Sequence, residues 1–458
     1  MKTLFKNGTI VNAEGSRTAD VLVCNDKIKL IGENIQSDKA RVVDCTGLLL
    51  FPGAIDAHTH FDLDVCNTTT ADDFYTGGRA ALKGGTTMVV DFACPNKGES
   101  LQYGLELWHK KADGRTACDY GFHMTIDDWN ESIKGEIPQM IRQGVTSFKM
   151  YLTYPAMMIG DGEMLMALQE LKKYGAIAGV HCENAGMIDA LIAERKAAGD
   201  LGPAAHPKSR PPMMEAEAVG RLLKMAYVAD TPVVTVHTTC AEALEEIRAA
   251  RARGQKVYVE TCPQYLVMDD SLYEREPFEE ASRYVCAPPL RKKSDQDALW
   301  KAIADGEIQT VSTDHCSFTI EQKQLGKDDF RKIPGGMPGA ETRGTVLFSE
   351  GVAKGRITKE KMCEVLSENP ARLYGMYPKK GVLLEGSDAD IVILDPSRVK
   401  TVSAKTQVSR CDYAPLEGMA LTGTIDEVYL RGQKVAEDGR VILENQGQYV
   451  KRGLPEFF

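Results

Sequence analysis

Apolar positions along this chain follow two rhythms. Up to residue 52 they form short alternating runs, 4–11, 20–24, 27–31 and 41–44, separated by tight turns and with no helix-length period between them. These predict strands. From residue 53 the pattern changes to apolar β-type runs alternating with amphipathic stretches of helical period, among them 72–83, 163–173, 216–229 and 241–253. The β-type runs are 53–58, 87–92, 120–125, 147–152, 176–181, 233–237, 256–260 and 309–313, eight in all. Eight β/α repeats close naturally into a barrel with its site at the C-terminal strand ends, whereas a doubly wound sheet rarely needs so many. The predicted fold class is therefore α/β, a (β/α)8 TIM-type barrel.

After Leu373 the chain returns to strands, at 390–394, 427–430, 434–435 and 441–443. Isolated two-stranded pieces are marginal in water, so the two ends are expected to combine into one small β-sandwich-like domain. The resulting organisation is residues 1–52 with 375–440 as the small β domain, 53–374 as the catalytic barrel, and 441–458 as a C-terminal arm. The polar and aromatic stretch 445–458 has no period and is expected to pack on another subunit.

Composition narrows the class. The chain has 458 residues, 43% hydrophobic and 26% charged, with 41 Gly and 20 Pro, which argues against a mostly disordered or fibrous protein. Its 55 Lys+Arg against 65 Asp+Glu give a net charge of −10 without a long basic run, so no nucleic-acid partner is expected. No apolar stretch approaches the ~20 residues needed to span a bilayer, and Lys6, Asn7 and Gly8 stand where a signal peptide would be apolar. No membrane association and a cytoplasmic location are expected. The 12 cysteines include no Cys-x-x-Cys pair, the usage of a reducing compartment.

Candidate chemistry gathers at the predicted strand mouths. His58-Thr59-His60 closes the first barrel run, and its i, i+2 spacing points both imidazoles to one side of an extended segment. His181 ends run five, His237 ends run six and Asp314 follows run eight, so four of the 8 histidines fall at the mouths. Lys149 lies inside run four, where a buried ammonium is costly unless paired or neutralised. Burial lowers its pKa and frees the amine to react with carbon dioxide. The carbamate so formed is an anion with two oxygens that can bridge two cations. A lysine reaching solvent along its stem is the alternative.

The ordered set 53–60 (Gly-Ala-Ile-Asp-Ala-His-Thr-His), Lys149, His181, His237 and Asp314 resembles the amidohydrolase superfamily, and most of all its dihydropyrimidinase and D-hydantoinase (phenylhydantoinase-like) members. Further matching stretches are 70–74, 147–149, 180–184, 260–266, 288–291 and 313–316, and the likeness runs from about residue 3 to 440. The resemblance implies two divalent metal ions per chain. His58, His60 and Asp314 would hold one, His181 and His237 the other, and N6-carboxylysine at Lys149 would join both. The N/O ligand set suits Zn²⁺, and Mn²⁺ or another divalent ion would also be accepted. Two such cations lower the pKa of bound water by many units and so make a nucleophile available near neutral pH.

Asp314 is then the implied general base, passing its proton to the departing ring nitrogen. Tyr154, five residues after Lys149, would help stabilise the oxyanion. The family binds the ureide edge through the main chain of a Cys-Ser-Pro-Pro stretch and an Ile-Pro-Asn-Gly turn. This chain carries Ala287 and Gly335 at those positions, so only backbone hydrogen bonds could survive.

His109, His123 and His206 are expected to be surface or core residues outside the site. His315 is expected to orient or pack beside Asp314, and Glu183 and Asn184 to shape the loop after run five. Leu63, Val65, Pro155, Met157 and Met158 would form an apolar lip. The function this implies is hydrolysis of the ring amide of cyclic ureides, 5-substituted hydantoins or dihydropyrimidines, to N-carbamoyl amino acids. An allantoinase or dihydroorotase-like hydrolase is the runner-up, and a non-enzymatic scaffold that has lost its ligands is the competing class. A homotetramer or homodimer is expected.

Overall fold

In the computed structural model, which describes residues 2–458, eight parallel strands form one sheet. They are Ala54–Thr59, Thr86–Ala93, Asp119–Thr125, Ser147–Tyr151, Ile177–His181, Val233–Thr235, Val257–Thr261 and Thr310–Val311, each paired in parallel with the next. The predicted barrel is present. Its last seam has no continuous ladder, only a parallel bridge at the mouth where His60 N donates to His315 O at 2.9 Å, and side chains complete it: the buried Arg343 donates from Nη1 to Ile55 O at 2.8 Å and to Val311 O at 2.9 Å. Asp56 accepts from Thr313 N at 3.0 Å and Thr313 Oγ1 at 2.7 Å across the same seam.

Strands six and eight are shorter than their apolar runs. His237 has φ 38° and Asp314 φ 52°, left-handed values that no ladder tolerates, so both residues leave the sheet at the mouth. The helix predicted from residue 72 begins at Phe74, because the Asp73 carboxylate caps it by accepting from Tyr75 N and Thr76 N.

The terminal segments do combine. Lys2–Asn12, Gly15–Cys24, Lys27–Gly32, Arg41–Asp44 and Leu49–Pro52 join Ile391–Thr401, Ala420–Leu430, Gln433–Glu437 and Arg440–Val441 in one nine-stranded sheet. Leu49–Pro52, for which the sequence pattern predicts no strand, is its joint: it pairs in parallel with the first strand and antiparallel with Ile391–Thr401. A buried cluster ties this sheet to the barrel. The Lys380 ammonium lies 2.8 Å from Asp119, 2.7 Å from Asp390 and 3.1 Å from Asp388, and Arg431 also pairs with Asp119. Three carboxylates that could otherwise have held a cation are already satisfied by lysine.

The C-terminal arm meets its own barrel. Tyr120 N donates to Gln448 O at 3.1 Å, Val450 N to Tyr120 O at 2.7 Å and Gly453 N to Gly375 O at 2.8 Å. Val450 and Phe457 pack with the barrel-interior side chains Ile55, Met88, Val90, Val234 and Tyr258. The open base of a barrel exposes such apolar side chains, and covering them explains why the arm folds back here. Among the described residues no helix is long and apolar enough to cross a membrane.

Candidate metal centre

All six residues singled out as ligands meet at the barrel mouth. His58 Nε2 lies 3.2 Å and His60 Nε2 3.1 Å from Asp314 Oδ1. The His181 and His237 rings are 4.5 Å apart, and His58 and His237 5.4 Å. Donor atoms of His58, His237 and Asp314 all fall within 4.8 Å of one another. Lys149 is 1% exposed, 5.0 Å above the Phe92 ring and 5.2 Å from Tyr151, and among the described residues its ammonium makes no ion pair. Burial lowers its pKa to about 8, against the pull of Asp314 and Glu260. Among the described residues, buried His58 Nε2, His60 Nδ1 and His237 Nδ1 have no hydrogen-bond partner. Such orphaned nitrogens are rare in folded proteins, and their convergence with a carboxylate fits the donor set of a divalent metal centre.

Residues outside the expected ligand set hold these rings. Glu260, fully buried, takes His58 Nδ1 at 2.6 Å and accepts from His237 N at 3.2 Å. Burial raises its pKa to about 7 while Lys149 opposes the rise. With Nδ1–H committed to Glu260, the His58 Nε2 lone pair is left facing inward. Glu183 does the same for His181, at 2.7 Å from Nε2, and also accepts from Arg210 Nη1 at 2.6 Å. Burial works against its charge, yet Arg210 and His181 hold the carboxyl well below its usual range. The loop-shaping role expected for Glu183 is thus a carboxylate–histidine contact. Burial likewise works against Asp314, but His58, His60 and Lys149 keep its carboxyl at about 2.

His315 departs from expectation. Its Nε2 lies 3.0 Å from Asp72 Oδ2, and its Nδ1 accepts from Gly339 N and Ala340 N at 3.1 and 3.2 Å, so it anchors a neighbouring loop rather than Asp314. His123 is a core residue, with Nδ1 on Ser147 Oγ and Nε2 on Ala57 O. His109 pairs with Asp113 away from the site. His206 was expected outside the site but is buried on the cavity wall, with Nε2 2.7 Å from Cys286 O.

The six candidate ligands floor a cavity of about 350 Å³. Tyr154 lines it with φ 68° and its ring 5.1 Å from His181, and burial raises its phenol well above the usual value. Tyr154, His237 and Asp314 all hold positive φ, a strain that non-glycine residues keep mainly at functional sites. Ala287 and Gly335 also line the cavity. Of the expected apolar lip, Leu63, Val65 and Met157 face it, joined by Ile192, Phe330 and Ile333. Pro155 and Met158 lie outside the lining, and their carbonyls accept from Lys97 at 2.9 and 3.0 Å.

Comparison with known proteins agrees with this geometry. The chain is 44% identical over 456 residues to the D-hydantoinase of Geobacillus stearothermophilus, covering 99% of this chain and 97% of that one. It is 41% identical over 458 residues to the D-phenylhydantoinase of Escherichia coli strain SE11, covering 99% and 98%. Among solved structures, the dihydropyrimidinase of Brevibacillus agri NCHU1002 superposes with a TM-score of 0.98 at 42% identity over 99% of both chains. The family model described as the amidohydrolase family, whose members are generally metal-dependent, matches residues 49–435, and the chain belongs to that family.

Proposed function

We propose that this protein is a metal-dependent hydrolase that opens the ring amide of cyclic ureides, 5-substituted hydantoins or dihydropyrimidines, to give N-carbamoyl amino acids. The observation that carries the reading is the Lys149 ammonium, buried among four histidines and Asp314 with no ion pair among the described residues, beside His58 Nε2, His60 Nδ1 and His237 Nδ1, which lack hydrogen-bond partners there. Carboxylation of the amine by carbon dioxide, with loss of a proton, would turn that misplaced cation into an anion able to hold two cations. His58, His60 and Asp314 would then hold one divalent ion, His181 and His237 the other, and the N/O donor set favours Zn²⁺. When bound, the ions supply Lewis acidity and a nucleophile active near neutral pH.

The remaining work falls to side chains and peptide groups. Asp314, ionised at neutral pH and at the centre of the ligand set, accepts the nucleophile's proton and delivers it to the departing ring nitrogen. Tyr154, kept as a neutral phenol by burial, donates to the oxygen that gains charge as the carbonyl becomes tetrahedral. Main-chain groups of Ala287 and Gly335 hold the ureide edge. The apolar wall from Leu63, Val65, Met157, Phe330 and Ile333 suits a hydrocarbon ring substituent better than the carboxylate of dihydroorotate or the polar group of allantoin.

A panel of dihydrouracil, hydantoin, 5-phenylhydantoin, allantoin and dihydroorotate, followed by release of ring-opened product with metal content measured in parallel, tests the reading. Turnover of the first three, lost on chelation and restored by Zn²⁺, is the expected result. Preference for allantoin or dihydroorotate would move the protein to the runner-up class, and metal-free, inert protein would leave only the scaffold.

A further inference from the structure

Lys323 is a second fully buried lysine, and the metal centre makes no use of it. It ends the short helix Ile320–Lys323, and among the described residues no carboxylate pairs with it. Its ammonium donates instead to three main-chain carbonyls: Val285 O at 2.9 Å, Pro334 O at 2.6 Å and Gly336 O at 2.8 Å. Three N–H donors meet three acceptors, so the group is satisfied without an anion.

The identity of those carbonyls matters. Pro334 and Gly336 flank Gly335, and Val285 stands two residues before Ala287. The two segments are tied to each other by Gly336 N donating to Val285 O at 2.9 Å, and Cys286 O is held by His206. Ala287 and Gly335 themselves both line the cavity, and among the described residues no hydrogen bond engages the N–H or C=O of either. The unengaged N–H and C=O groups of two residues are thus bracketed by clamped ones. Moreover, Pro334 C=O and Gly335 N–H belong to the same peptide group. An ammonium on that oxygen polarises the peptide and makes the Gly335 N–H a stronger donor.

We propose that Lys323 is a positioning residue for the ring substrate: its ammonium fixes the Ala287 and Gly335 segments at one spacing, so that their free peptide groups form a donor–acceptor edge complementary to a cyclic ureide. This rests on the cyclic-ureide reading above and adds the residue that sets its selectivity. A compact, tetrahedral ammonium suits the task, since the planar fork of arginine cannot direct three bonds from a single nitrogen.

The test compares hydantoin with succinimide, a ring of equal size that lacks one ureide N–H, in the zinc-loaded full-length enzyme. A merely structural lysine would lower both activities together. Lys323→Met is expected to raise the KM for hydantoin and to cut the hydantoin-to-succinimide ratio of kcat/KM about tenfold or more, with kcat for succinimide and zinc content little changed. Lys323→Arg, which keeps the buried charge, should lower the ratio as well and serves if the methionine variant does not accumulate. A ratio within about twofold of the unmodified enzyme in either folded variant overturns the assignment of Lys323 alone. Failure of the unmodified protein to open hydantoin overturns the cyclic-ureide reading, and this inference with it.

Discussion

Arg210→Met separates holding a proposed metal ligand from being one. The Arg210 guanidinium lies 2.6 Å from Glu183 and 5.7 Å from the Tyr154 ring centroid, and Glu183 in turn sits 2.7 Å from His181 Nε2. The Glu183 side chain is 1% exposed and that of Arg210 11%, so neither charge is appreciably screened by solvent. Removing one partner of such a pair strands the other, at a cost of about 3–5 kcal/mol. Part of this is recovered as the carboxyl, no longer held down by Arg210, rises toward protonation and keeps only His181. His181 then loses its fixed tautomer, and disturbing a histidine's supporting carboxylate costs roughly 10–100-fold in metal affinity.

Urea unfolding of metal-free protein and competition titration of Zn²⁺ read the two effects independently. In Glu183→Gln/Arg210→Met the buried charge is gone altogether while an amide oxygen still faces His181. The double variant should therefore be more stable than Arg210→Met alone, with a coupling of ~2 kcal/mol or more. Arg210→Met within about 0.5 kcal/mol of the parent, the range of ordinary surface changes, and with unaltered Zn²⁺ affinity would refute the chain of support drawn from Arg210 to His181.

Other outcomes follow from the same geometry. Lys149→Ala should lose most bound metal and activity, and short carboxylic acids with bicarbonate should restore a little of both; full metal content by elemental analysis would remove the bridging role. Asp314→Asn keeps the shape without the base and should lower turnover by roughly 10²-fold or more across the pH profile. 5-Phenylhydantoin should show a higher kcat/KM than hydantoin by an amount corresponding to ~1–3 kcal/mol, and Met157→Ala should narrow that gap whereas Met158→Ala, outside the cavity lining, should not. Burial lowers the His206 pKa to about 3 from 6.5. Its neutral form is therefore favoured in the fold, and the stability tied to it is present above pH 6.5 and declines as pH falls from 6.5 toward 3. His206→Gln should flatten the acid side of the stability curve of metal-free protein by roughly 1 kcal/mol per pH unit.

What the sequence disclosed and what it hid divide along range. The eight strands and the mouth positions of His58, His60, His181, His237 and Asp314 were legible because period and spacing are local properties. Lys149 stood out because a cation in an apolar run is anomalous by itself. Supporting groups had no such signal: Glu260 is 202 residues from His58, and Arg210 27 from Glu183. His315 was misplaced beside Asp314 because adjacency in sequence suggested a contact, whereas its carboxylate partner Asp72 lies 243 residues away. Leu49–Pro52 was overlooked as a strand because both of its neighbours in the sheet come from elsewhere in the chain. Lys323 offered only a lysine beside polar residues, and backbone carbonyls have no signature by which sequence could name them as its partners.

The nine-stranded sheet built from both ends of the chain also governs the order in which the protein can mature. Asn12 donates to the Leu383 carbonyl across 371 residues, and Leu49–Pro52 finds its partner only in Ile391–Thr401. At ~5–20 residues per second of synthesis, the early strands wait on the order of 20 to 70 s with a sheet edge unpaired. The same delay applies to the floor of the barrel, which stays uncovered until Val450 and Phe457 have been made. A nascent chain therefore passes most of its synthesis with a sticky strand edge and an open barrel base. Its yield in a cell depends as much on what shields those surfaces in that interval as on the stability of the finished fold.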